Sequence, residues 1–188
     1  MIDQLKQIDR HLFQYLNSLH APFWDEVMFI ISSKTFWIPF YLILLLLIYR
    51  KFGWKMTLFI LACVGVLITL SDQTASGFLK PFIGRFRPCR PEAALGFGVH
   101  IVNHKCGGAY GFVSSHAANF FALATFLSGI FQHQKWSILF FVVATIVAYS
   151  RIYLGVHYPG DVLGGAIVGI LSGFIVLKVF YFGQQKLE

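Results

Sequence analysis

Long apolar runs separated by short polar segments dominate this chain. A helix needs about 20 mainly apolar residues to cross a bilayer. Five runs approach that length, at residues 27–49, 54–79, 112–131, 136–149 and 162–182. The fourth needs a short extension to span. The first contains Lys34 and Pro39, so an interfacial segment that turns into the membrane near Phe36 is an equal alternative for its start.

The N-terminal stretch, residues 1–22, has a different pattern. Its apolar residues recur at helical spacing: Ile2, Leu5, Ile8, Leu12, Tyr15, Leu16 and Leu19. Asp3, Lys6, Asp9 and Arg10 fall on the other side. This pattern predicts an amphipathic helix at the membrane interface. Because its charges are of mixed sign, a helix docked on the protein's own loops is equally consistent.

Composition supports a membrane protein. Of the 188 residues, 57% are hydrophobic and 12% charged, and the mean hydropathy is +0.68, well outside the soluble range. We therefore predict an all-α fold, a polytopic membrane helical bundle with five or six transmembrane helices. Residues 1–188 would form one membrane-embedded domain, with the amphipathic helix at its start and an outward-facing lid loop at 80–111.

The net charge of +7 would suggest a nucleic-acid partner in a soluble protein, but the cations gather at the ends of the apolar runs, and we predict no nucleic-acid binding. Six of them mark three places that should share the cytoplasmic side: Arg50, Lys51, Lys55, Lys135, Lys178 and Lys186. The loops at 80–111 and 150–160 then face outward, although they are also basic.

The three cysteines predict no metal site. Cys63 lies within an apolar run and is interpreted as a buried apolar residue. Cys89 and Cys106 both fall in the outward loop, where a disulfide and two free thiols are equally consistent with the sequence. Neither has the paired short ligand spacing of a zinc site.

Polar residues concentrate in three segments, at 80–88, 112–120 and 150–161. If the five runs alternate across the membrane, all three reach the same face. The candidate site residues are Lys80, Arg87, Ser114, Ser115, His116, Arg151, His157 and Asp161. Each has a structural alternative as an interface anchor, a helix cap or a local hydrogen bond. Because ionisable groups at membrane depth are costly, three such segments on one face favour a functional pocket.

The chemistry of these residues points to a phosphate. Lys80, Arg87 and Arg151 are cations suited to phosphate oxygens, and Ser114 and Ser115 add neutral donors at a helix start. Displacement at phosphorus needs a nucleophile and a proton donor, which two histidines can supply. Asp161, four residues after His157, is placed to fix its tautomer. The cations take the role that magnesium has elsewhere, so we predict no metal ion or other cofactor.

Together the motifs resemble the type 2 phosphatidic acid phosphatase superfamily of membrane lipid phosphatases. Two of its three signature motifs are complete: K-x6-R-P at Lys80, Arg87 and Pro88, and S-R-x5-H-x3-D at Ser150, Arg151, His157 and Asp161. The third, P-S-G-H, is matched only by Ser114 and His116, because Val113 and Ser115 replace the usual proline and glycine.

The resemblance implies that His157 is the nucleophile, His116 the general acid and Asp161 the partner of His157. It also implies a phosphate site built from Lys80, Arg87, Ser114 and Arg151. Bacterial members usually have six spans and an outward-facing site, which gives the outward basic residues a reason to be there.

Several residues outside the motifs are ambiguous. Gly165, Gly169 and Gly173 recur every four residues, which predicts close approach of another helix. Asp72 lies deep in the second run, where a structural and a functional role are equally consistent. For Arg85 and Arg90 we favour solvated loop cations over contact with a second phosphate or a sugar.

We therefore expect a bacterial inner-membrane lipid phosphate phosphatase with its site facing the periplasm. Undecaprenyl diphosphate, phosphatidylglycerophosphate or phosphatidic acid, and a lipid A phosphate all fit the pocket chemistry. A transporter or binding protein for a phosphorylated lipid is the alternative from another class, and a phosphotransferase using the same phosphohistidine is a third.

Overall fold

The structure, a computed structural model, describes residues 2–185 apart from the side chain of Ile2. Seven α-helices make up most of this part of the chain: α1 (Ile2–Ser18), α2 (Pro22–Ser32), α3 (Ile38–Asp72), α4 (Lys80–Ile83), α5 (Ser115–Phe131), α6 (Gln134–Tyr153) and α7 (Pro159–Gln184). Short 3-10 turns lie at Thr35–Trp37, Pro91–Ala93 and Val102–His104, and a π-helical segment at Gln73–Leu79 joins α3 to α4. Within residues 2–185 no β-strand forms, so the predicted all-α class is confirmed.

The region predicted as a continuous run at 27–49 is broken. Helix α2 ends at Ser32, and Ser33 has an extended backbone with ψ 141°. Helix α3 then begins at Ile38, with Pro39 in its first turn. Backbone N–H groups in a first turn have no partner within the helix, so the missing N–H of proline costs nothing there. The continuous span is therefore wrong, and the alternative start near Phe36 is what the structure shows.

Helix α3 reverses direction at Gly53, whose φ of +74° lies in the left-handed region that glycine favours. Tyr41 and Ile68 line one cavity, whereas a continuous helix would place them about 40 Å apart. The apolar stretch Thr35–Ile83 thus contains two antiparallel helices.

Among the residues that the structure describes, three helical stretches are long and apolar enough to cross a membrane: Thr35–Ile83, Gln134–Tyr153 and Pro159–Gln184. Helix α5 is apolar but shorter. Helices α6 and α7 agree with the fourth and fifth predicted runs, the fourth extended to Tyr153. The number of spans stays a prediction.

Helices α5 and α7 form the centre of the bundle. A Cβ atom added at Gly165 or Gly169 would overlap the carbonyl oxygens of Ser114 and Ala118, so the two backbones are in direct contact. This confirms the close approach predicted from the glycine spacing. Because both helices begin at the same end, the starts of α5 and α7 are brought together.

The opposite end of the bundle carries the cations assigned to the cytoplasmic side. Lys51 Nζ lies 3.0 Å from the carbonyl oxygen of Phe131, which joins the first and third predicted connections. Tyr181 near the end of α7 donates to the carbonyl of Gly129 at 2.7 Å. Lys186 lies outside the described residues.

Helix α1 lies against the other end, beside the end of α6 and the connection from α6 to α7. Phe13 and Asn17 are buried, whereas Leu5, Ile8, Leu12, Tyr15 and Leu19 are exposed. The amphipathic helix is confirmed, and it is docked on the protein while its apolar face stays open.

The loop at 80–111 is fixed to the bundle. Cys89 and Cys106 form a disulfide, with Cα atoms 5.7 Å apart, which settles the choice left open by the sequence. His100 is bound through its backbone N–H to Asn17 Oδ1 at 2.8 Å and through its ring to the Asp25 carboxylate at 3.0 Å. His20 stacks on the same ring. The loop is therefore joined to both α1 and α2.

Candidate active site

His157 lies in the short connection between α6 and α7 and is only 1% exposed. Arg87 Nη1 is 3.2 Å from its Nε2, and Asp161 Oδ2 is 3.4 Å from its Nδ1. Because a guanidinium can only donate, Nε2 is the acceptor and the ring proton lies on Nδ1, facing Asp161. The lone pair of His157 is therefore on Nε2.

The surroundings of His157 also favour its neutral form. Burial lowers its pKa well below the usual value, and the positive charges of Arg87, Arg151 and Lys80 lower the pKa further. All three cations identified from the sequence are thus close enough to act on this one imidazole.

Asp161 is fully buried and hydrogen-bonded on both oxygens. Oδ2 accepts from the backbone N–H of Tyr158 at 3.0 Å as well as facing His157. Oδ1 accepts from Arg85 Nη1 at 3.0 Å. A Cβ atom at Gly111 would lie 2.8 Å from Oδ2, so the loop backbone closes over the carboxylate at a position that only glycine fits.

The start of α5 faces the same region. Ser114 is the N-cap residue, and its Oγ accepts from Ala117 N at 3.4 Å, while its own N–H donates to the Asp161 carbonyl at 2.8 Å. Ser115 Oγ instead lies 3.1 Å from Lys80 Nζ, which also contacts Ser76 Oγ at 3.1 Å. Two of the three motif segments therefore meet through Lys80 and Ser115.

Arg151 and His116 border two cavities that meet at Ser32 and Ser33. Arg151 donates to Ser32 Oγ and lines a cavity of about 310 Å³ under the lid loop. His116 lines an apolar cavity of about 420 Å³ between α3 and α5. It also lies in the electrostatic field of Arg151 and His157. The structure thus gathers all eight predicted site residues at one end of the bundle.

This geometry accompanies a clear family relationship. A sequence profile of the PAP2 superfamily matches residues 53–184, more than half of the chain and every signature residue. The chain belongs to the PAP2 superfamily. The family resemblance seen in the motifs is therefore confirmed.

Relatives of this PAP2 protein cover nearly its whole length. A lipid A 4'-phosphatase from Bacteroides thetaiotaomicron is 41% identical over 187 residues, covering 100% of this chain and 81% of the relative. The crystal structure of Aquifex aeolicus LpxE has a TM-score of 0.68 at 29% identity, covering 89% of this chain and 93% of that chain. A transmembrane PAP2-type phosphatidylglycerolphosphate phosphatase from Bacillus subtilis has a TM-score of 0.66 at 25% identity, with 98% and 88% covered.

These comparisons make the PAP2 protein an integral membrane protein and an enzyme of the lipid phosphatase class. They name different substrates for different relatives. The lipid on which this chain acts is therefore a separate question from its class.

Sequence reasoning missed three residues of the site region. The interpretation of Arg85 as a solvated loop cation is wrong: it is ion-paired with Asp161 and with Asp9, which lies on the polar side of α1. Ser32 had no motif to mark it. The ambiguous Asp72 accepts a hydrogen bond from Asn119 Nδ2 at 3.3 Å on α5, which gives it a structural partner.

Proposed function

We propose that this protein hydrolyses a phosphate ester of a membrane lipid through a covalent phosphohistidine at His157, without a metal ion. The observation that carries the proposal is the arrangement of Arg87, His157 and Asp161, which holds an unprotonated Nε2 beside a cation able to bind phosphate. The PAP2 membership supports it independently.

The first step forms a bond between His157 Nε2 and phosphorus while the bond from phosphorus to the leaving oxygen breaks. His116 gives its proton to that oxygen as general acid. Asp161 stabilises the cationic phosphohistidine through Nδ1. In the second step His116 takes a proton from water, the water oxygen attacks phosphorus, and the N–P electron pair returns to Nε2.

The proposed phosphate site consists of Lys80, Arg87, Ser114, Ser115 and Arg151. Three fixed cations balance the charge that builds up on the equatorial oxygens, which is the contribution a metal ion makes in other phosphoryl transfer enzymes. Lys80 and Ser115 form one side of this site, since they are already in contact at 3.1 Å.

The cavity beside His116 supports a lipid substrate. It is lined mainly by apolar side chains of α3 and α5, including Leu44, Val64 and Leu123, and it has room for a hydrocarbon chain. Among the candidate lipids we propose a lipid A phosphate first, because the relative that matches the whole chain is named for that activity. Undecaprenyl diphosphate, phosphatidylglycerophosphate and phosphatidic acid are the competitors.

We also propose that the site faces the periplasm across the bacterial inner membrane. Lys51, Lys135 and Lys178 lie toward the end of the bundle away from His157, as the positive-inside rule requires for a cytoplasmic end. The disulfide in the loop over the site also suits an oxidising compartment.

The test is phosphate release by the purified protein in detergent, in EDTA, from each of the four lipid classes side by side. We expect EDTA-resistant release, fastest from lipid A, that is lost in His157→Gln and retained in His104→Gln, a matched change in the exposed loop. Binding without release would favour the transporter or binding alternative. Phosphate transferred to an added alcohol in place of water would favour a phosphotransferase.

A further inference from the structure

Arg85 joins two carboxylates that are far apart in the sequence. Its Nη2 is 2.7 Å from Asp9 Oδ2, and its Nη1 is 3.0 Å from Asp161 Oδ1. Its side chain is 23% exposed, that of Asp9 15%, and Asp161 is not exposed at all. The guanidinium also lies over the Tyr158 ring, 3.8 Å from its centroid. Arg85 is therefore held on three sides.

Asp9 ties this network to the N-terminal helix. Its second oxygen, Oδ1, accepts from the backbone N–H of Gly160 in the first turn of α7 at 2.7 Å. One turn further along α1, the buried Phe13 packs against Tyr158 with ring centroids 5.3 Å apart. Helix α1 thus contacts two residues, Tyr158 and Gly160, in the short segment between His157 and Asp161.

We infer that Arg85 and Asp9 are positioning residues for the reaction and that helix α1 belongs to the active-site assembly. They act through Asp161: the Asp9–Arg85 pair holds one carboxylate oxygen, so that the other is aimed at His157 Nδ1. This inference rests on the proposed phosphohistidine mechanism.

The two carboxylate oxygens of Asp161 have different partners, and this gives the Asp9–Arg85 pair its role. Oδ1 is occupied by Arg85, and Oδ2 is shared by Tyr158 N–H and His157. Without Arg85, one oxygen of a fully buried carboxylate would lose the only charged donor that the described residues give it, and the carboxylate would turn to recover a partner. The planar fork of arginine can serve two carboxylates at once, which a single ammonium group does less well.

Arg85 is not part of the phosphate site in this arrangement, because both of its terminal nitrogens are bound to carboxylates. A loss of Arg85 should therefore slow the reaction without weakening phosphate binding. This separates a positioning role from a role as a sixth phosphate ligand.

The experiment measures kcat/KM and the inhibition constant for inorganic phosphate in Arg85→Gln, Asp9→Asn and the double variant. Arg85→Gln should lower kcat/KM by about 10- to 100-fold, by analogy with the loss seen when a residue that orients a metal ligand is replaced, with the inhibition constant for phosphate within about twofold of the wild type. Asp9→Asn should have a smaller effect that disappears once Arg85 is replaced, because the two residues act as a unit. Asp3→Asn on the exposed side of α1 is the matched control and should match the wild type.

Two results would overturn the inference: a phosphate inhibition constant that rises in step with the fall in kcat/KM, or effects of Asp9 and Arg85 that simply multiply. Thermal unfolding in detergent checks folding, and if Arg85→Gln is unfolded, Arg85→Lys and Asp9→Asn carry the same comparison, with partial activity expected for the lysine. If His157→Gln keeps wild-type activity, the proposed mechanism fails, and that outcome is separate from any result at Arg85.

Discussion

At the scale of single residues, the proposed phosphohistidine chemistry requires a neutral His157. Arg87 donates to Nε2, Asp161 faces Nδ1, and the side chain is almost completely buried. Burial first, and then the charges of Arg87, Arg151 and Lys80, lower its pKa well below the usual value. A neutral imidazole is what nucleophilic attack on phosphorus requires.

The lowered pKa of His157 predicts how stability depends on pH. In the unfolded chain this histidine takes up a proton below about pH 6.5, but the folded protein does not, so acid favours unfolding by up to about 1.4 kcal/mol per pH unit. The contribution of His157 to stability is complete above its unfolded pKa and is lost as the pH falls below it. On lowering the pH from about 7.5 to about 5, the thermal midpoint in detergent should fall more for the wild type than for His157→Gln. Parallel curves for the two proteins would contradict this.

The residues of the signature motifs could be found from the sequence, but the residues outside the motifs that contact them could not. His157 and Asp161 are four positions apart, so local spacing already indicates their contact. Asp9 and Arg85 meet only because α1 docks beside the start of α7, and a periodic pattern does not show which helix end lies next to which loop. An aspartate on the polar side of an amphipathic helix is usually solvated, so the pattern of α1 gives no sign that Asp9 pairs with Arg85.

At the scale of helices, the contact between α5 and α7 sets the position of both halves of the site. Helix α5 presents Ser114, Ser115 and His116 at its start, and α7 presents Asp161 in its first turn. Glycines on α7 let the backbones touch, and their spacing predicted this contact correctly. The packing sets how far the two helices are shifted along their axes, and hence the distances between the site residues that they carry.

Replacing Gly169 by alanine tests this packing. A Cβ atom there would overlap the Ala118 carbonyl oxygen. Gly169→Ala should therefore lower the free energy of unfolding by about 1 to 3 kcal/mol, as at other overpacked sites. The thermal midpoint and the activity should both fall. Gly65→Ala on α3 is the matched control, because no atom lies within 4 Å of a Cβ at that position. It should be neutral or slightly stabilising through helix propensity. Equal effects at the two glycines would argue against the packing.

The helix boundaries show where sequence reasoning stops. Hydropathy located the helices of the bundle because burial in protein and in lipid both require apolar side chains. It could not resolve the break at Ser33, because residues 27–31 and 36–38 on either side of it are apolar, and only Lys34 and Pro39 suggested a break.

At the scale of the whole molecule, the end of the bundle that carries Lys80, Arg87 and Arg151 lies beside an apolar cavity. We call this the cationic end. The cavity between α3 and α5 ends at His116 and Ser32, next to the space bordered by Arg151. Such an arrangement suits a molecule with a phosphate at one end and a hydrocarbon chain at the other. The lid loop, held by its disulfide and by His100, covers the cationic end.

Filling the apolar cavity should affect lipids according to chain length. Leu123→Trp places a larger ring in the cavity, so it should lower kcat/KM for a long-chain phosphatidic acid and leave a short-chain, water-soluble phosphate ester nearly unaffected. Leu171→Trp on the exposed face of α7 is the control and should change neither substrate. If both substrates lose activity equally in Leu123→Trp, the cavity does not hold the chain.

The central claim is that His157 becomes phosphorylated during turnover. The most direct measurement is brief incubation of the purified protein with a lipid carrying a radioactive phosphate, followed by an alkaline denaturing quench. We predict a labelled protein band that survives alkali and is lost in acid, as phosphohistidine is, with no band in His157→Gln and a normal band in His104→Gln. Turnover by the wild type without a labelled band, or a labelled band in His157→Gln, would contradict the account.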